Sequence, residues 1–156
     1  MTSGFKIQGV LVAVDGVGVL IQGPPGVGKS LAALRLMNKG HRLVSDDLVE
    51  LYLDSDGKLM GKPVEEQVRI ELRGLGIFRA RALFDDATAS YSPVDLVVHL
   101  DTYDPGRDAG RTEPEMSIID LMGCELAKIR LPLARGSDAA LFIELLARVF
   151  KQRGLP

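Results

Sequence analysis

The sequence contains no tryptophan and one cysteine, Cys124. A single cysteine excludes an intramolecular disulfide, so we expect a reducing compartment, and the neighbouring residues 121–123 offer no basic group that would activate a thiolate. We interpret Cys124 as a small buried apolar residue. No apolar window approaches the about 18 residues needed to cross a bilayer. Residues 1–6 lack the charged-then-apolar order of a secretion signal. The sequence therefore predicts a cytoplasmic protein without a membrane segment.

Clustered positive charge is also absent. The 19 Lys and Arg residues are scattered among 21 Asp and Glu residues, the net charge is −2, and there are only five Phe and three Tyr residues. A nucleic-acid site normally combines a basic stripe with stacking aromatic rings, so nucleic acid is not an expected partner. The remaining composition, with 46% hydrophobic and 26% charged residues, is that of an ordinary globular protein. One domain over residues 1–156 is predicted.

Apolar runs and glycine positions predict a mixture of strands and helices. Asp15-Gly16 is a hairpin dipeptide and is expected to join two strands within residues 6–21. Gly40 and Gly154 are placed to end two helices, and Ser137 or Asp138 is placed to cap the second. The predicted helices cover residues 29–38 and 139–153, and further strands are expected at 41–47, 48–53, 96–100, 116–121 and 126–131. Two segments are interpreted as loops, namely 71–77 beside a ligand and 102–114 as a long mobile loop.

The clearest motif lies near the front of the chain. It matches the Walker A pattern G-x-x-x-x-G-K-S between an apolar strand and a helix, which is the context that this motif requires, and consists of Gly23, Pro24, Pro25, Gly26, Val27, Gly28, Lys29 and Ser30. Its glycines allow successive N–H groups to face a polyphosphate at the start of the helix. Lys29 is predicted to reach the outer phosphates, and the Ser30 hydroxyl to bind a magnesium ion.

Two acidic sites compete for the remaining chemistry. Asp46-Asp47 ends the strand that follows the phosphate-loop helix, and Asp101 ends the apolar strand 96–100 in the manner of a Walker B aspartate. Adjacent side chains of a strand point to opposite faces, so both members of the pair reach the phosphates only if the strand ends irregularly. Paired acids can divide the work, since one can hold the waters of a metal while the other accepts a proton. The residue pattern alone leaves both sites open.

Several segments together resemble the catalytic domain of HPr kinase/phosphorylase, which uses ATP to phosphorylate a serine of the phosphocarrier protein HPr or its relatives. The similarity covers residues 8–144 and is carried by Gly9-Val10-Leu11-Val12, Gly18-Val19-Leu20-Ile21, the phosphate loop, Gly40-His41-Arg42-Leu43-Val44-Ser45-Asp46-Asp47 and Glu71-Leu72-Arg73-Gly74-Leu75-Gly76-Ile77. The resemblance implies an α/β fold, a P-loop kinase-like domain of the HPr kinase/phosphoenolpyruvate carboxykinase type with a mixed β-sheet and flanking helices. It also implies the short form of the family, without an amino-terminal domain, and a homo-oligomer such as a hexamer.

The resemblance also implies roles for individual residues. Residues 23–30 would bind the phosphates of ATP, with Lys29 on the transferring group, and Ser30 and Glu71 would hold Mg²⁺. Asp47 would be the general base with Asp46 beside it, which favours this pair over Asp101. Arg111 would stabilise charge on the phosphoryl group, a task that suits the planar guanidinium. The alternatives are a solvated loop residue for Arg111, and an ion pair that braces the loop for Glu71 with Arg73.

Two departures from the family pattern bear on the reverse reaction, in which inorganic phosphate attacks phosphoserine. Gln8 stands where the family has an active-site histidine, and glutamine carries neither positive charge nor a transferable proton near neutral pH. Ser137-Asp138 follows Gly136 where the family has Arg-Asn. We therefore expect forward transfer to survive and phosphorolysis to be weak or absent. His99, within an apolar strand, is interpreted as a satisfied core histidine.

Three functions remain in competition. The first is an ATP- and Mg²⁺-dependent serine kinase acting on an HPr-like phosphocarrier protein. The second is a small-molecule kinase, which would need a closed acceptor pocket. The third is a nucleotide-sensing module without catalysis, whose partner would dock on residues 102–114.

Overall fold

The structure, a computed structural model, describes residues 4–153. Within them the chain forms strands and helices in this order: β1 Phe5–Gln8, β2 Val10–Val14, β3 Val17–Gln22, α1 Lys29–Asn38, β4 Arg42–Ser45, β5 Leu48–Leu53, β6 Leu59–Pro63, β7 Arg69–Leu72, β8 Gly76–Arg79, α2 Ala80–Leu83, β9 Ser92–Pro93, β10 Leu96–Thr102, α3 Pro105–Asp108, β11 Glu115–Leu121, β12 Cys124–Leu133 and α4 Ala139–Arg153.

A six-stranded mixed sheet forms the centre of the molecule, with strand order β11-β12-β10-β3-β2-β4. The most apolar strand, β10, lies parallel to both β3 and β12, while the outer pairs are antiparallel. The β2–β3 hairpin turns at Asp15-Gly16 as predicted, and Asp15 takes the left-handed conformation there with φ 51°. This mixed sheet with flanking helices confirms the predicted fold class.

Two hydrophobic cores cover the two faces of this sheet. On one face α1 and α4 pack against it through Ala32, Leu36, Ile143 and Ala147, all nearly inaccessible to solvent. On the other face lies an antiparallel four-stranded sheet of order β1-β5-β6-β9. The residues buried between the two sheets are Leu11, Leu20, Val44, Val49, Leu51, Leu59, Val94, Val97 and Leu121. The result is three layers, in which each strand of the central sheet keeps its alternation of faces.

The chain crosses between the two sheets at two neighbouring points. Gly9 separates β1 of the smaller sheet from β2 of the larger one, and Asp46-Asp47 separates β4 of the larger sheet from β5 of the smaller one. The N–H of Gly9 donates to the carbonyl oxygen of Asp47 at 2.9 Å, which ties the two crossings together. Gly9 has φ 153°, and a Cβ there would lie 3.0 Å from the backbone carbonyl oxygen of Ile21, so this position favours glycine. The acidic pair therefore lies at a fixed bend.

Both long helices have the predicted limits. Helix α1 covers Lys29–Asn38, and Gly40 follows it with φ 95°, a left-handed conformation that favours glycine. Helix α4 covers Ala139–Arg153, and the Asp138 carboxylate caps it by accepting from the Leu141 N–H at 3.1 Å. Gly154 lies outside the described residues.

Three local predictions were wrong. Residues 71–77 form most of a β-hairpin, β7–β8, whose strands pair from Arg69 with Arg79 to Leu72 with Gly76. The segment 102–114 contains the short helix α3, which is anchored because buried Asp108 accepts hydrogen bonds from Arg130 of β12. Cys124 is a free thiol but only partly buried.

A polar cluster joins α4 to the end of α1. Buried His41 contacts the Glu144 carboxylate through Nε2 at 2.6 Å, and the Lys39 ammonium lies 3.4 Å from the same carboxylate. The hydrogen bond from His41, followed by the charge of Lys39, lowers the pKa of Glu144 against the opposing effect of burial. The ionised carboxylate therefore favours the folded state.

Glu144→Gln is expected to destabilise the protein by about 1 to 3 kcal/mol near neutral pH, since it removes hydrogen bonds to a charged group. Because the pKa of Glu144 is lowered on folding, this contribution is present above the ordinary glutamate range and is lost as the pH falls through the folded-state pKa. Urea unfolding at a series of pH values measures it. A difference between the two proteins that persists unchanged in acid would contradict the assignment.

No helix within residues 4–153 is long and apolar enough to cross a membrane.

Candidate functional site

The phosphate loop connects the end of β3 to the start of α1. Gly26 and Gly28 have φ of 81° and 111°, left-handed conformations that turn the chain into the helix. Gly28 is the N-cap of α1, and no side chain caps the first turn. The first N–H groups of a helix have no intrahelical partner, so this end of α1 presents donors and the positive end of the helix dipole. An anion is the natural ligand there.

The Lys29 side chain folds back over the loop. Its ammonium donates to the carbonyl oxygens of Gly23 at 2.6 Å and Pro24 at 3.1 Å. These contacts hold the charge beside the residues that precede the helix, and a bound phosphate would compete with them. Val27 anchors the loop differently, since its partly buried side chain packs against the hydrophobic core that includes α1.

Asp46 lies directly against the phosphate-loop serine. The Ser30 hydroxyl donates to the Asp46 carboxylate, with oxygen distances of 3.2 and 3.4 Å. Burial raises the pKa of Asp46 to about 6, the charge of Asp47 acts in the same direction, and the hydrogen bond from Ser30 and the charge of Lys29 oppose it. A cation at this carboxylate would favour its ionised form.

Asp47 is turned to the same side by an unusual backbone conformation. Its φ is 79°, and the pairing of β2 with β4 shifts register just before it, between Leu11 and Val12. This is the irregular strand end that the sequence required, and both acids line one cavity with Lys29 and Ser30. Asp47 is exposed and forms no ion pair within residues 4–153. Its carboxylate is therefore not engaged by a charged partner among these residues and is accessible from the cavity.

The β7–β8 hairpin supplies the facing wall of this cavity. Glu71 lines it, and the backbone N–H of Glu71 is close enough to Asp46 to help lower the pKa of that carboxyl. Arg73 also lines it, and a Cβ on Gly26 would lie 3.9 Å from Arg73 Nη1. Glu71 and Arg73 form no ion pair with each other among the described residues. Arg73 thus places a guanidinium next to the phosphate loop, which the sequence interpretation had missed.

The cavity measures about 870 Å³, and its outer rim is apolar. Large apolar side chains of α1 and the β7–β8 hairpin stand there with high exposure, namely Leu31 at 50%, Leu75 at 73% and Ile77 at 66%. Val64, after β6, adds a fourth at 39%. Exposed residues of this size beside a polar centre favour an interacting surface. The two glycines on either side of Leu75 obscured this hairpin in the sequence.

Hard oxygen donors line the phosphate-loop cavity, and two of them, Ser30 and Asp46, are in direct contact. The donors are the hydroxyl of Ser30 and the carboxylates of Asp46, Asp47 and Glu71. Magnesium is commonly held by one or two protein oxygens completed by phosphate and water. The described residues contain no group of three His, Cys, Asp or Glu residues arranged to hold a metal alone. The donor set therefore fits Mg²⁺ bound together with a polyphosphate.

The competing acid and the predicted arginine lie elsewhere. Asp101 accepts from Arg130 Nε at 2.9 Å, so this carboxylate is already neutralised. The Arg111 guanidinium is exposed, 3.8 Å from Glu115, and does not line the phosphate-loop cavity. The catalytic role of Arg111 stays a prediction, and Arg73 is the arginine that the fold brings to the loop.

The residues that depart from the family pattern are also outside this cavity. Gln8 lies at the end of β1 and is exposed, and its carbonyl oxygen accepts from Gln22 Nε2 at 3.1 Å. Ser137 Oγ accepts from Ala134 N–H, and Asp138 caps α4 while lying 3.6 Å from Arg35. The polar atoms of Ser137 and Asp138 are thus occupied in local structure.

His99 was wrongly predicted to be a core residue. It is partly buried and lines a second cavity on β10, β11 and β12. The ring is therefore accessible from that cavity.

Comparisons with known proteins agree with this geometry. The family described as HPr Serine kinase C-terminal domain matches residues 1–155. The chain is similar to HPr kinase/phosphorylase of Bacillus cytotoxicus, with 43% identity over 150 residues that cover 93% of this chain and 48% of that protein. It is also similar to HPr kinase/phosphorylase of Geobacillus sp., with 40% identity over 147 residues that cover 93% of this chain and 47% of that protein. The chain spans about half the length of the curated relatives it matches.

A solved structure is similar over nearly the whole chain. It is the Hpr(Ser) kinase/phosphatase from Coxiella burnetii, with a TM-score of 0.84 and 29% sequence identity, and the match covers 94% of this chain and 90% of that one.

Proposed function

The chain belongs to the HPr kinase family, and on that premise we propose that it is a serine kinase that uses ATP and Mg²⁺ to phosphorylate an HPr-like phosphocarrier protein. The observation that carries the proposal is the contact between the Ser30 hydroxyl and the Asp46 carboxylate, with Asp47 beside them in the same cavity. This contact joins the phosphate loop, which would bind the nucleotide, to the acidic pair, which would accept the proton of the hydroxyl. Phosphoryl transfer to a hydroxyl requires both groups.

Each residue has a separable task in this mechanism. The N–H groups at the start of α1 bind the outer phosphates, and Lys29 offsets the negative charge of the transferring group. Asp47 accepts the proton of the serine hydroxyl while the serine oxygen bonds to the γ-phosphorus and the bond from that phosphorus to the ADP oxygen breaks. Ser30, Asp46 and Glu71 would hold Mg²⁺, which supplies further charge neutralisation when bound with the nucleotide.

Arg73 supports the same site from the hairpin. Its guanidinium is near Gly26 and has no carboxylate partner among residues 4–153, so it is available for phosphoryl oxygens. We propose that it shares the charge-stabilising task that the family resemblance implies for Arg111.

The shape of the cavity favours a protein acceptor over a small molecule. A small-molecule kinase has to enclose its acceptor to exclude water from the reaction. Here the space in front of Asp47 is bordered by exposed Leu75 and Ile77 instead of a closed wall. An apolar rim around a reactive centre suits a folded partner that carries its own apolar patch beside the acceptor serine.

The decisive experiment combines the protein with labelled ATP, Mg²⁺ and a purified HPr-like carrier. Label is expected on one serine of the carrier, and replacing that serine with alanine provides the control. Labelling of small metabolites alone would favour the small-molecule alternative. Tight nucleotide binding without any transfer would favour the sensing alternative.

Phosphorolysis is expected to be weak or absent. Ser137 accepts from the Ala134 N–H, Asp138 caps α4 and adds negative charge, and Gln8 brings no positive charge, so none of the three attracts an incoming phosphate. In this reaction the phosphate oxygen would bond to the phosphoserine phosphorus, the serine oxygen would leave and take up a proton, and pyrophosphate would form. Incubating the phosphorylated carrier with phosphate and following pyrophosphate measures it. Release as fast as forward transfer would overturn the expectation.

A further inference from the structure

The second cavity lies outside the site described above. It measures about 360 Å³ and shares no lining residue with the phosphate-loop cavity. Val98 and Ile129 on the same strands pack toward the helices, so the alternating His99 and Lys128 point to the other face, beyond the smaller sheet. The lining residues are His99, Asp101, Arg107, Glu115, Met116, Ser117, Lys128 and Arg130.

Both carboxylates of this cavity are already paired. Asp101 accepts from Arg130 at 2.9 Å, and Glu115 accepts from Arg107 at 2.6 Å. Asp108, behind the cavity, also accepts from Arg130. Arg111 lies 3.8 Å from Glu115 as well, so three arginines balance these three carboxylates and the pairs add little net charge to the cavity.

Lys128 is the exception. It is partly buried and forms no ion pair with any other residue in the described part of the chain. Ser117 stands directly opposite it in the β11–β12 pairing, and His99 pairs with Arg130 two residues further along β12. Side chains at such directly opposite and diagonal positions on one face of a sheet are within reach of each other. An ammonium, a hydroxyl and an imidazole therefore face one cavity.

We propose that this cavity binds a small tetrahedral oxyanion, a phosphate or a phosphate monoester, between Lys128, His99 and Ser117. Each of the three groups can donate a hydrogen bond to an oxygen of such an anion, and Lys128 supplies a positive charge that no carboxylate of the described residues neutralises. Burial, and then the charge of Lys128, lowers the pKa of His99. A bound anion reverses that effect because it favours the imidazolium. The site goes beyond the proposed function, since it lies apart from the nucleotide cavity.

The two histidines of the chain make the test direct. His41 is buried against Glu144, whereas the His99 ring makes no hydrogen bond to another described residue, so their ring protons should give separate NMR resonances. His99→Gln assigns the second resonance by removing it. Phosphate, added at constant ionic strength against chloride, is expected to shift the His99 resonance saturably, to leave His41 in place and to raise the pKa of His99.

Matched variants decide whether the effect belongs to this cavity. Lys128→Gln should weaken the apparent phosphate affinity about tenfold or more, because it removes a charged donor. Lys6→Gln, an equal charge change at an exposed position of β1, should leave it unchanged. Lys29→Met disables the phosphate loop, and the His99 shift should survive there.

The outcomes are distinct. Saturation by phosphate or by glycerol 3-phosphate supports the site, and the tighter of the two shows whether the free anion or the ester is bound. The proposal would be overturned if the His99 resonance shifted linearly with phosphate, or if Lys128→Gln bound phosphate as tightly as the wild type. It would also be overturned if the shift were lost in Lys29→Met, or if planar acetate saturated the site equally well. None of these readouts depends on kinase activity, so a failure of the proposed function would appear separately as absent phosphoryl transfer.

Discussion

Asp47→Asn is expected to lower the rate of phosphoryl transfer by about 100-fold or more while leaving nucleotide affinity nearly unchanged. A positioned general base contributes roughly 10²–10⁴-fold, and asparagine cannot accept the serine proton. The fold should be retained, because asparagine tolerates the left-handed conformation that Asp47 adopts at φ 79°. Steady-state transfer to the carrier, together with nucleotide binding by calorimetry, measures both quantities.

The chain offers a matched control. Asp86 is another exposed aspartate in the left-handed region, with φ 54°, and does not line the phosphate-loop cavity. Asp86→Asn makes the same chemical change at the same kind of backbone position, so it should transfer at the wild-type rate. If Asp47→Asn also kept that rate, Asp47 would not be the base. If Asp46→Asn alone abolished transfer, the roles assigned to the two acids would be reversed.

Lys29→Met is the second substitution with a large expected effect. The ammonium lies over the loop, bonded to the carbonyl oxygens of Gly23 and Pro24, and from there it can follow the transferring phosphoryl group. Removing one preorganised charge of this kind costs roughly 10²–10³-fold in rate. Nucleotide affinity should fall as well, because the same charge binds the ground-state phosphates. The measurement is kcat and KM for MgATP with the carrier in excess.

Two further variants separate the electrostatic role of Lys29 from its role in holding the conformation of the phosphate loop. Lys29→Arg keeps the charge but not the compact point geometry of an ammonium, so we expect partial activity. Lys6→Met, on the far sheet, should behave as wild type. If Lys29→Met retained full transfer, or lost it only through a large drop in thermal stability, the electrostatic role of Lys29 would be refuted.

The sequence was most informative where structure is set locally. The limits of α1 and α4 follow from apolar spacing, from Gly40 and from the cap at Asp138, and all of these act within a few residues. The phosphate loop was likewise recognisable because its function requires those residue types in one continuous stretch. The prediction that the acidic pair needs an irregular strand end followed from alternation alone, and the turn at Asp47 fulfils it.

Features that depend on distant partners were not predictable. Gly9 and Asp47 are joined across two sheets by one hydrogen bond, and no local pattern shows that the chain changes sheet at both points. The segment 102–114 was predicted to be a mobile loop because its anchor is not local. Asp108 accepts a hydrogen bond from Arg130, which is 22 residues further along the chain. His99 was predicted to be buried because the strand around it is apolar, whereas its ring is partly exposed at a cavity.

The site itself was only partly accessible from the sequence. Lys29, Ser30, Asp46, Asp47 and Glu71 meet in one cavity as the motif and the family resemblance suggested. For the arginine the resemblance implied Arg111, whose role stays a prediction because it does not line the cavity, whereas the hairpin places Arg73 beside the phosphate loop. The position of Arg73 depends on the pairing of β7 with β8. The sequence did not predict these strands because the hairpin contains two glycines.

A crystal structure with Mg²⁺ and a non-hydrolysable ATP analogue tests the central claim most directly. We expect the outer phosphates on the N–H groups of residues 26–30, the metal near Ser30 and Asp46, and the Asp47 carboxylate facing the terminal phosphate across open space that a serine hydroxyl can enter. A nucleotide bound elsewhere on the chain, or Asp47 directed away from its terminal phosphate, would contradict the account.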